Sequence, residues 1–350
     1  MATTSSQDII ALPQGGGALH GLGETFSPDL HTGTANFQIP FALPPGRNGF
    51  QPQFALSYSS GQANGPFGLG WQLSIPGVSR KTAQGIPIYD DTRDTFILSG
   101  QEDLVPIGQA APNVTRYRPK TEGAFARIDH DTSAGNNYWR VQNKDGLVSY
   151  YGTPGIIGPA TIADPAHPAH ICAWKLSSTA DPFGNRVTYT YVRDTQTSSG
   201  PHAWDQLYLD SISYIENDLG ADLVQIHFDY ETRPDPFSEY RSGFEIRTVR
   251  RCQRMMITVN QMLARTYEMT YQQTYHKLSL LKQILVTGYD GATSEALPSL
   301  LFSYNDFAPQ QRQFTLVSGP DLPRDNLDQP QYATVDLFGC GLSDIIEMDG

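Results

Sequence analysis

Residues 58–71 read YSSGQANGPFGLGW, four glycines, a proline and an asparagine set between a tyrosine and a tryptophan. A phosphate loop, a hinge and the corner of a large β-structure all use permissive backbone in this way. A phosphate loop also needs a Lys followed by Ser or Thr and a helix N-terminus facing the anion. Neither follows Gly70, because Trp71 runs directly into the strand-like QLSIPGVSR. The stretch is therefore read as a corner. It places Gly61, Gly65, Gly68 and Gly70 at positive-φ or close-approach positions and folds Trp71 back as a plug over a sheet.

Working outward, apolar residues alternate with period two along the chain. FQIPF carries Phe37, Ile39 and Phe41; QFALSY carries Phe54, Leu56 and Tyr58; RVTYTYV carries Val187, Tyr189 and Tyr191. VQIHFDY repeats the pattern with Val224, Ile226, Phe228 and Tyr230, and SLLFSY with Leu300, Phe302 and Tyr304. Such alternation is what a half-buried strand requires. Residues 249–264 could be forced into a helix, but Thr258 and Val259 suit a strand as well. Between these runs lie LPQGGG, PPGRNG, DPFGN, TRPDP and GYDG, each with turn chemistry, so the connections are expected to be hairpins. The expectation is an all-β fold without long helices: a large curved antiparallel sheet assembly built from hairpins.

Two stretches, 174–192 and 281–304, both read strand, Asp/Gly turn, strand ending in Tyr, which favours a scaffold grown by adding hairpins. Near residue 306 alternation gives way to a polar, proline-bearing run. Residues 1–305 are thus expected to form one β domain, 306–330 a linker, and 331–350 the start of a second unit that stops within it.

The 350 residues carry a formal charge of −12, which repels nucleic-acid backbones and anionic membrane surfaces. Cys172, Cys252 and Cys340 match no zinc or redox spacing and are read as buried thiols. MATTSSQDII lacks a basic and an apolar signal region, and no window reaches the length of a membrane span, so cytoplasmic synthesis without a signal peptide is expected.

Several polar groupings invite chemistry. The glycines of LPQGGGALHGLGE (12–24) fit neither nucleotide fingerprint. HPAH sets His167 and His170 beside Asp164, but Pro165 and Pro168 exclude a helix that would put both imidazoles on one face, so a solvated loop without metal is expected. YDDTRDTF gathers Asp90, Asp91 and Asp94 around Arg93 without the glycine of a calcium loop, and is read as a charged hairpin. Cys172 and His170 are too near in sequence for a catalytic pair with an orienting third group. Glu245, Arg247, Arg250, Arg251 and Arg254 are read as an ion-pair ladder on one sheet face, with Phe244 and Ile246 facing the core. No catalytic, cofactor-binding or metal residue is expected.

The motifs LPQGGGALHGLGE, YSSGQANGPFGLGW, VSRKTAQGIPIYDDTRDTF, TRYRPKTEGAFARI, WKLSSTADPFGNRVTYTY and DPFSEYRSGFEIRTVRRCQR occur in one order over approximately residues 10 to 305. Together they resemble the SpvB-type domain. This domain opens the B component of bacterial insecticidal toxin complexes (Tc toxins) and the N-terminal half of a Salmonella virulence protein. WKLSSTADPFGNRVTYTYV also resembles a tyrosine-aspartate (RHS/YD) repeat. The resemblance implies a non-enzymatic wall of a β-sheet shell that encloses a toxic polypeptide. It implies C-type and A-type toxin components as partners, no cofactor, and release to the extracellular space. VDLFGCGLSD is similar to the start of a propeller blade of the FG-GAP type, although Asp336 and Asp344 alone make a poor calcium set. The virulence protein's transferase half carries a Glu-x-Glu motif and a proline run; this chain has neither, so that activity is not carried over.

Two rival readings predict other features. A glycan- or host-surface-binding module would expose aromatics such as Tyr150, Tyr151 or Trp204. A hydrolase or lyase would need a pocket of convergent ionisable groups.

Overall fold

The computed structural model describes residues 25–28, 33–99, 102–121, 125–196, 202–216, 222–305, 327–337 and 344–348. The chain divides into two compact units, Met1–Asn305 and Asp306–Gly350. Among the described residues the one helical element is a 3₁₀ turn at Arg47–Gly49. The motif at 12–24 and Cys340 lie outside the described residues, as does most of the expected linker.

The first unit begins with β1 (Thr25–Pro28), β2 (Ala35–Pro40), β3 (Ala55–Ser59), β4 (Asn64–Gly65), β5 (Gly68–Leu69) and β6 (Trp71–Leu73). Strands β1, β2, β3 and β6 form an antiparallel sheet, and β4 and β5 a short ribbon between its last two strands. Then follow β7 (Gly77–Arg80), β8 (Phe96–Leu98), β9 (Glu102–Ala111), β10 (Val114–Pro119), β11 (Arg127–Asp131), β12 (Tyr138–Gln142), β13 (Val148–Tyr151), β14 (Thr161–Ala163) and β15 (Ile171–Ala180). Each of β7 to β12 pairs with the next, β13 pairs with β15, and β15 returns to β7, which closes an eight-strand antiparallel barrel. Its interior is solid with aromatic rings. Trp139 lies 4.8 Å from Phe96, 4.9 Å from Tyr117 and 6.0 Å from Trp174, and stacks on His130 at 4.1 Å. Burial pushes the pKa of His130 down, so a neutral imidazole fills this space.

The far half of β15 pairs with β16 (Arg186–Gln196), which starts a sheet of long strands: β17 (Trp204–Glu216), β18 (Asp222–Glu239), β19 (Ile246–Val259), β20 (Met262–Gln273) and β21 (Ser279–Asp290), edged by β22 (Thr293–Ala296) and β23 (Leu300–Leu301). The alternation behaves as read, with Val224, Ile226 and Phe228 fully buried and Gln225 exposed between them. DPFGN makes the β15–β16 hairpin: Asp181 Oδ1 accepts the N–H groups of Phe183 and Asn185, and Gly184 takes a φ of 87°. The β19–β20 turn carries no glycine, yet Asn260 and Gln261 both adopt positive φ (50° and 65°), the type I′ geometry that suits strand twist. Two readings need correction. SLLFSY pairs over Leu300–Leu301 alone, because Phe302 and Tyr304 turn onto Trp71. TRPDP is a bulge inside β18, since Pro234 and Pro236 offer no N–H and the β18–β19 register jumps from Thr232 to Phe237.

A repeated device joins these strands. Tyr151, Tyr191, Tyr230 and Tyr271 each stand opposite the residue preceding one extra residue in the neighbouring strand: Leu176, Leu209, Cys252 and Leu281. Each of those four carbonyls accepts a tyrosine hydroxyl from further along the chain. Tyr191 donates to Leu176 (2.8 Å), Tyr230 to Leu209 (2.8 Å), Tyr271 to Cys252 (2.5 Å) and Tyr304 to Leu281 (2.8 Å). A bulge bends its strand and increases local twist, so a row of bulges in successive hairpins curves the sheet.

The small sheet lies across the long one. Phe41 meets Tyr267 edge-on at 5.0 Å, the Tyr267 hydroxyl accepts the Ala42 N–H, and Tyr214 donates to the Pro44 carbonyl. Ile39, Leu56 and Trp71 are thereby buried, each aliphatic side chain contributing about 1.5–3 kcal/mol. In the glycine-rich corner, Gly68 and Gly70 adopt φ of 92° and 81°. Gly61 and Gly65 are close approaches, where a Cβ would sit 3.0 Å from Thr34 and 3.2 Å from the Trp71 carbonyl. At Gly68 a Cβ would also press within 3.0 Å of the Ser279 carbonyl, and at Gly70 within 2.5 Å of the Tyr58 ring.

The second unit contributes a hairpin, β24 (Tyr332–Val335) and β25 (Asp344–Glu347).

Gly68→Val and Gly70→Val are each expected to lower unfolding free energy by about 1–3 kcal/mol, measured by chemical denaturation, because a β-branched residue at these φ values is strained.

Candidate functional site

The corner docks on a buried charge. Arg233, whose side chain is fully buried, lies in the β18 bulge. Its Nη1 donates to the Gly65 carbonyl (3.0 Å), and its Nη2 to Asn64 Oδ1 (2.9 Å) and Asp235 Oδ2 (3.0 Å). Nε donates to Asp235 Oδ1 (3.1 Å), and the guanidinium lies 4.8 Å from the Phe237 ring centre. Asp235 also accepts from the Ser279 N–H and hydroxyl, and the Cys252 N–H donates out of the ladder to the Pro66 carbonyl (2.8 Å). Burial alone would raise the Asp235 pKa; the hydrogen bonds from Arg233 and Ser279 outweigh it and hold the carboxyl at about 2 instead of 3.8. The group is therefore a clamp between 64–66 and strands β18, β19 and β21, with four guanidinium N–H groups engaged in structural hydrogen bonds.

The basic segment divides among different partners rather than forming one ladder. Arg254 pairs with Asp229 and Arg251 with Glu231, each directly opposite in the β18–β19 register at 2.6 Å. Arg250 reaches Asp194 on β16, so it leaves that row. Glu245 is buried, accepting from Ser238 Oγ, His202 Nδ1 and Arg247; these partners outweigh burial and lower its pKa. Phe244 packs, with Ile246 beside it, in a small cluster with Ile162, Cys172 and Leu207. The cleft between Glu231, Arg251, Arg254 and Glu268 is lined by these matched charges.

In YDDTRDTF the central cation is Arg80, not Arg93. Buried Arg80 donates to Asp91 (2.6 Å), Asp94 (2.8 Å) and the Ile171 carbonyl. Asp90 caps its own turn through the Thr92 N–H. Cys172 is buried, and burial pushes its thiol up to about 12, so it is no thiolate nucleophile at neutral pH. The three aromatics named above for a glycan site are engaged within the fold. Tyr151 is buried, Tyr150 packs on Tyr138, and half-buried Trp204 donates to Asp194 with Arg247 over its ring. In the second unit, Asp344 accepts the Leu337 N–H.

The prolines of HPAH do prevent a helix, but the turns they make bring Asp164, His167 and His170 together. Their ligand atoms all lie within 4.8 Å of one another, a grouping that helix geometry alone did not anticipate.

Fold and clamp define an all-β structural domain of barrel and long-strand sheet. Its family is shown by comparison: the family model described as Salmonella virulence plasmid 65kDa B protein, SpvB, matches residues 29–218 and 210–260. The chain belongs to the SpvB family. It is 30% identical to the mono(ADP-ribosyl)transferase SpvB of Salmonella typhimurium, with 70% of this chain and 50% of that protein covered, and to its Salmonella dublin counterpart at the same level. The chain thus spans about half the length of the curated relatives it matches. Among solved structures, TcdB2-TccC3 superposes over 100% of this chain and 20% of its own, with a TM-score of 0.75 and 26% identity. A Photorhabdus luminescens Tc holotoxin pore gives a TM-score of 0.76 at 26% identity over 100% and 19%. The N-terminal domain of effector protein SpvB from Salmonella typhimurium strain LT2 shares the fold, with a TM-score of 0.55 and 24% identity over 76% of this chain and 99% of that one.

Asp235→Asn leaves the buried Arg233 without its counter-charge and is expected to destabilise the domain by about 3–5 kcal/mol in denaturant titration. The pH dependence has a defined sign. The folded value near 2 lies below the ordinary 3.8, so this carboxylate stabilises fully above pH 4 and loses its contribution, about 2 kcal/mol, as pH falls through 2. Melting curves from pH 5 to 2 should fall more steeply for the wild type than for Asp235→Asn.

Proposed function

We propose that this chain forms part of the wall of a toxin-delivery shell and performs no chemistry itself. In this reading it contributes to a β-sheet enclosure around a cytotoxic polypeptide. C-type and A-type toxin-complex components are its partners, and release outside the bacterial cell is its destination. Residues 306–330 serve as the linker to a propeller-like unit that begins in 331–350.

The observation that carries the proposal is the curved long-strand sheet, whose whole extent superposes on one fifth of a TcdB2-TccC3 chain. A wall must satisfy its own backbone hydrogen bonds, because an open edge beside an unfolded cargo would template aggregation. The bulge row supplies curvature while tyrosine hydroxyls satisfy the carbonyls beside the bulges. The groupings around Arg80, Arg233 and Glu245 are held in internal pairs, which supports a structural role over catalysis. The transferase activity named for the Salmonella relatives is said of those proteins and is not carried over to these residues.

The test is limited proteolysis of the full-length protein co-expressed with its C-type component. The carboxy-terminal segment of the C component should resist digestion when co-expressed and be cut quickly when expressed alone. Equal digestion rates in the two samples would contradict an enclosing wall. A glycan array probed with the same protein should stay blank; saturable binding to one glycan class would favour the surface-binding alternative.

A further inference from the structure

We propose that Asp164, His167 and His170 form a binding site for a divalent transition-metal ion, zinc being the best match, on the loop between β14 and β15.

The loop is two consecutive β-turns of the same kind, Asp164-Pro165-Ala166-His167 and His167-Pro168-Ala169-His170. The His167 N–H donates to the Asp164 carbonyl (3.1 Å), and the His170 N–H to the His167 carbonyl (2.8 Å). Each proline stands at the second turn position, where its fixed φ is wanted and its missing N–H costs nothing. The Asp164 N–H then donates to the His170 carbonyl (3.1 Å), so the loop closes on itself. Two turns with a spacing of three return positions 164, 167 and 170 to one side.

The donor geometry suits one ion. Asp164 Oδ2 lies 2.9 Å from His167 Nδ1 and 3.9 Å from His170 Nδ1. Ligand atoms at zinc-ligand distances around a tetrahedral ion are about 3.4 Å apart, midway between these values. Two imidazoles on such an ion hold their ring centres about 5 Å apart; those of His167 and His170 are 5.0 Å apart. Rotation of exposed side chains by a small angle would therefore complete the site.

The surroundings hold two ligands in place. Asp164 Oδ1 is engaged by the Ala166 N–H (2.9 Å), which leaves Oδ2 to face the imidazoles. The His170 ring stacks on Tyr89 at 4.4 Å and 8°. Tyr89 is itself fixed: its hydroxyl donates to the Ser242 carbonyl, and Asp94 accepts its N–H at a left-handed φ of 62°. Such outer contacts orient ligands. Two imidazoles and one carboxylate select against magnesium and calcium, which take oxygen ligands, and suit zinc. His167, 65% exposed, keeps the site accessible, and three protein ligands leave a fourth position for water or a partner's side chain.

The test uses the chain without a histidine tag. Zinc binding is followed by calorimetry and cobalt(II) binding by absorption, for the wild type, His167→Ala, Asp164→Asn and, as a control outside the cluster, His276→Ala. One equivalent should bind with the spectrum of four-coordinate cobalt. His167→Ala and Asp164→Asn should each lower affinity by more than about 100-fold, beyond the loss of about 10–100-fold that follows removal of an outer contact, with His276→Ala unchanged. Exposed His167 can be truncated without disturbing the fold, and unchanged melting of that variant verifies this. Absence of binding to the wild type, or binding that survives both cluster variants, would overturn the proposal.

Discussion

The row of tyrosine hydroxyls donated to carbonyls beside β-bulges is the constraint on which the long sheet depends. A bulge leaves an extra residue out of the ladder and puts a neighbouring carbonyl at risk of being buried without a partner. Here Leu176, Leu209, Cys252 and Leu281 each receive a phenolic donor from the next return of the chain. Burial pushes the hydroxyl pKa of Tyr191, Tyr230 and Tyr271 far above the ordinary phenol range, as befits donors enclosed in the sheet. Curvature is thus obtained without the orphaned polar groups that would make it costly.

The other devices build on that curved face. The small sheet brings Phe41, Phe54 and Trp71 down onto Tyr267, Phe228 and Phe302. The glycine-rich corner comes close enough for the Arg233 guanidinium to reach backbone and side-chain oxygens of residues 64 and 65. A charge buried this deeply contributes little net stability, but removing its partner is expensive, so it fixes register more than it adds strength. Cys252 shows how closely the parts are joined. Its N–H serves the corner and its carbonyl serves Tyr271.

Much of this was legible in the sequence for a physical reason. Alternation has the period of a strand, so Val224, Ile226 and Phe228 announce both the element and its buried face. DPFGN announces its hairpin, because an aspartate and a glycine at those offsets have few other uses. The corner glycines were legible as strained or crowded positions, though not which was which. The rest depends on distant encounters. Barrel closure rests on β7 meeting β15, and no local pattern in Gly77–Arg80 marks that partner. Arg93 lies among three aspartates in sequence, yet the cation that Asp91 and Asp94 share comes from β7. TRPDP has the composition of a turn and is used as a bulge. Asn260-Gln261 turns without glycine. One signal was available: Tyr151, Tyr191, Tyr230, Tyr271 and Tyr304 recur about every forty residues, the length of one two-strand unit. The HPAH grouping was hidden for a simpler reason, since two proline turns achieve what only a helix seemed able to do.

The most direct measurement is the unfolding free energy of Tyr230→Phe, Tyr271→Phe and the double variant. Phenylalanine keeps the ring and removes only the donor. If the hydroxyl row sustains the sheet, each single change should cost about 1–3 kcal/mol, the penalty of a buried carbonyl left unpaired, and the double variant at least their sum. Unfolding midpoints indistinguishable from the wild type in all three would contradict the account.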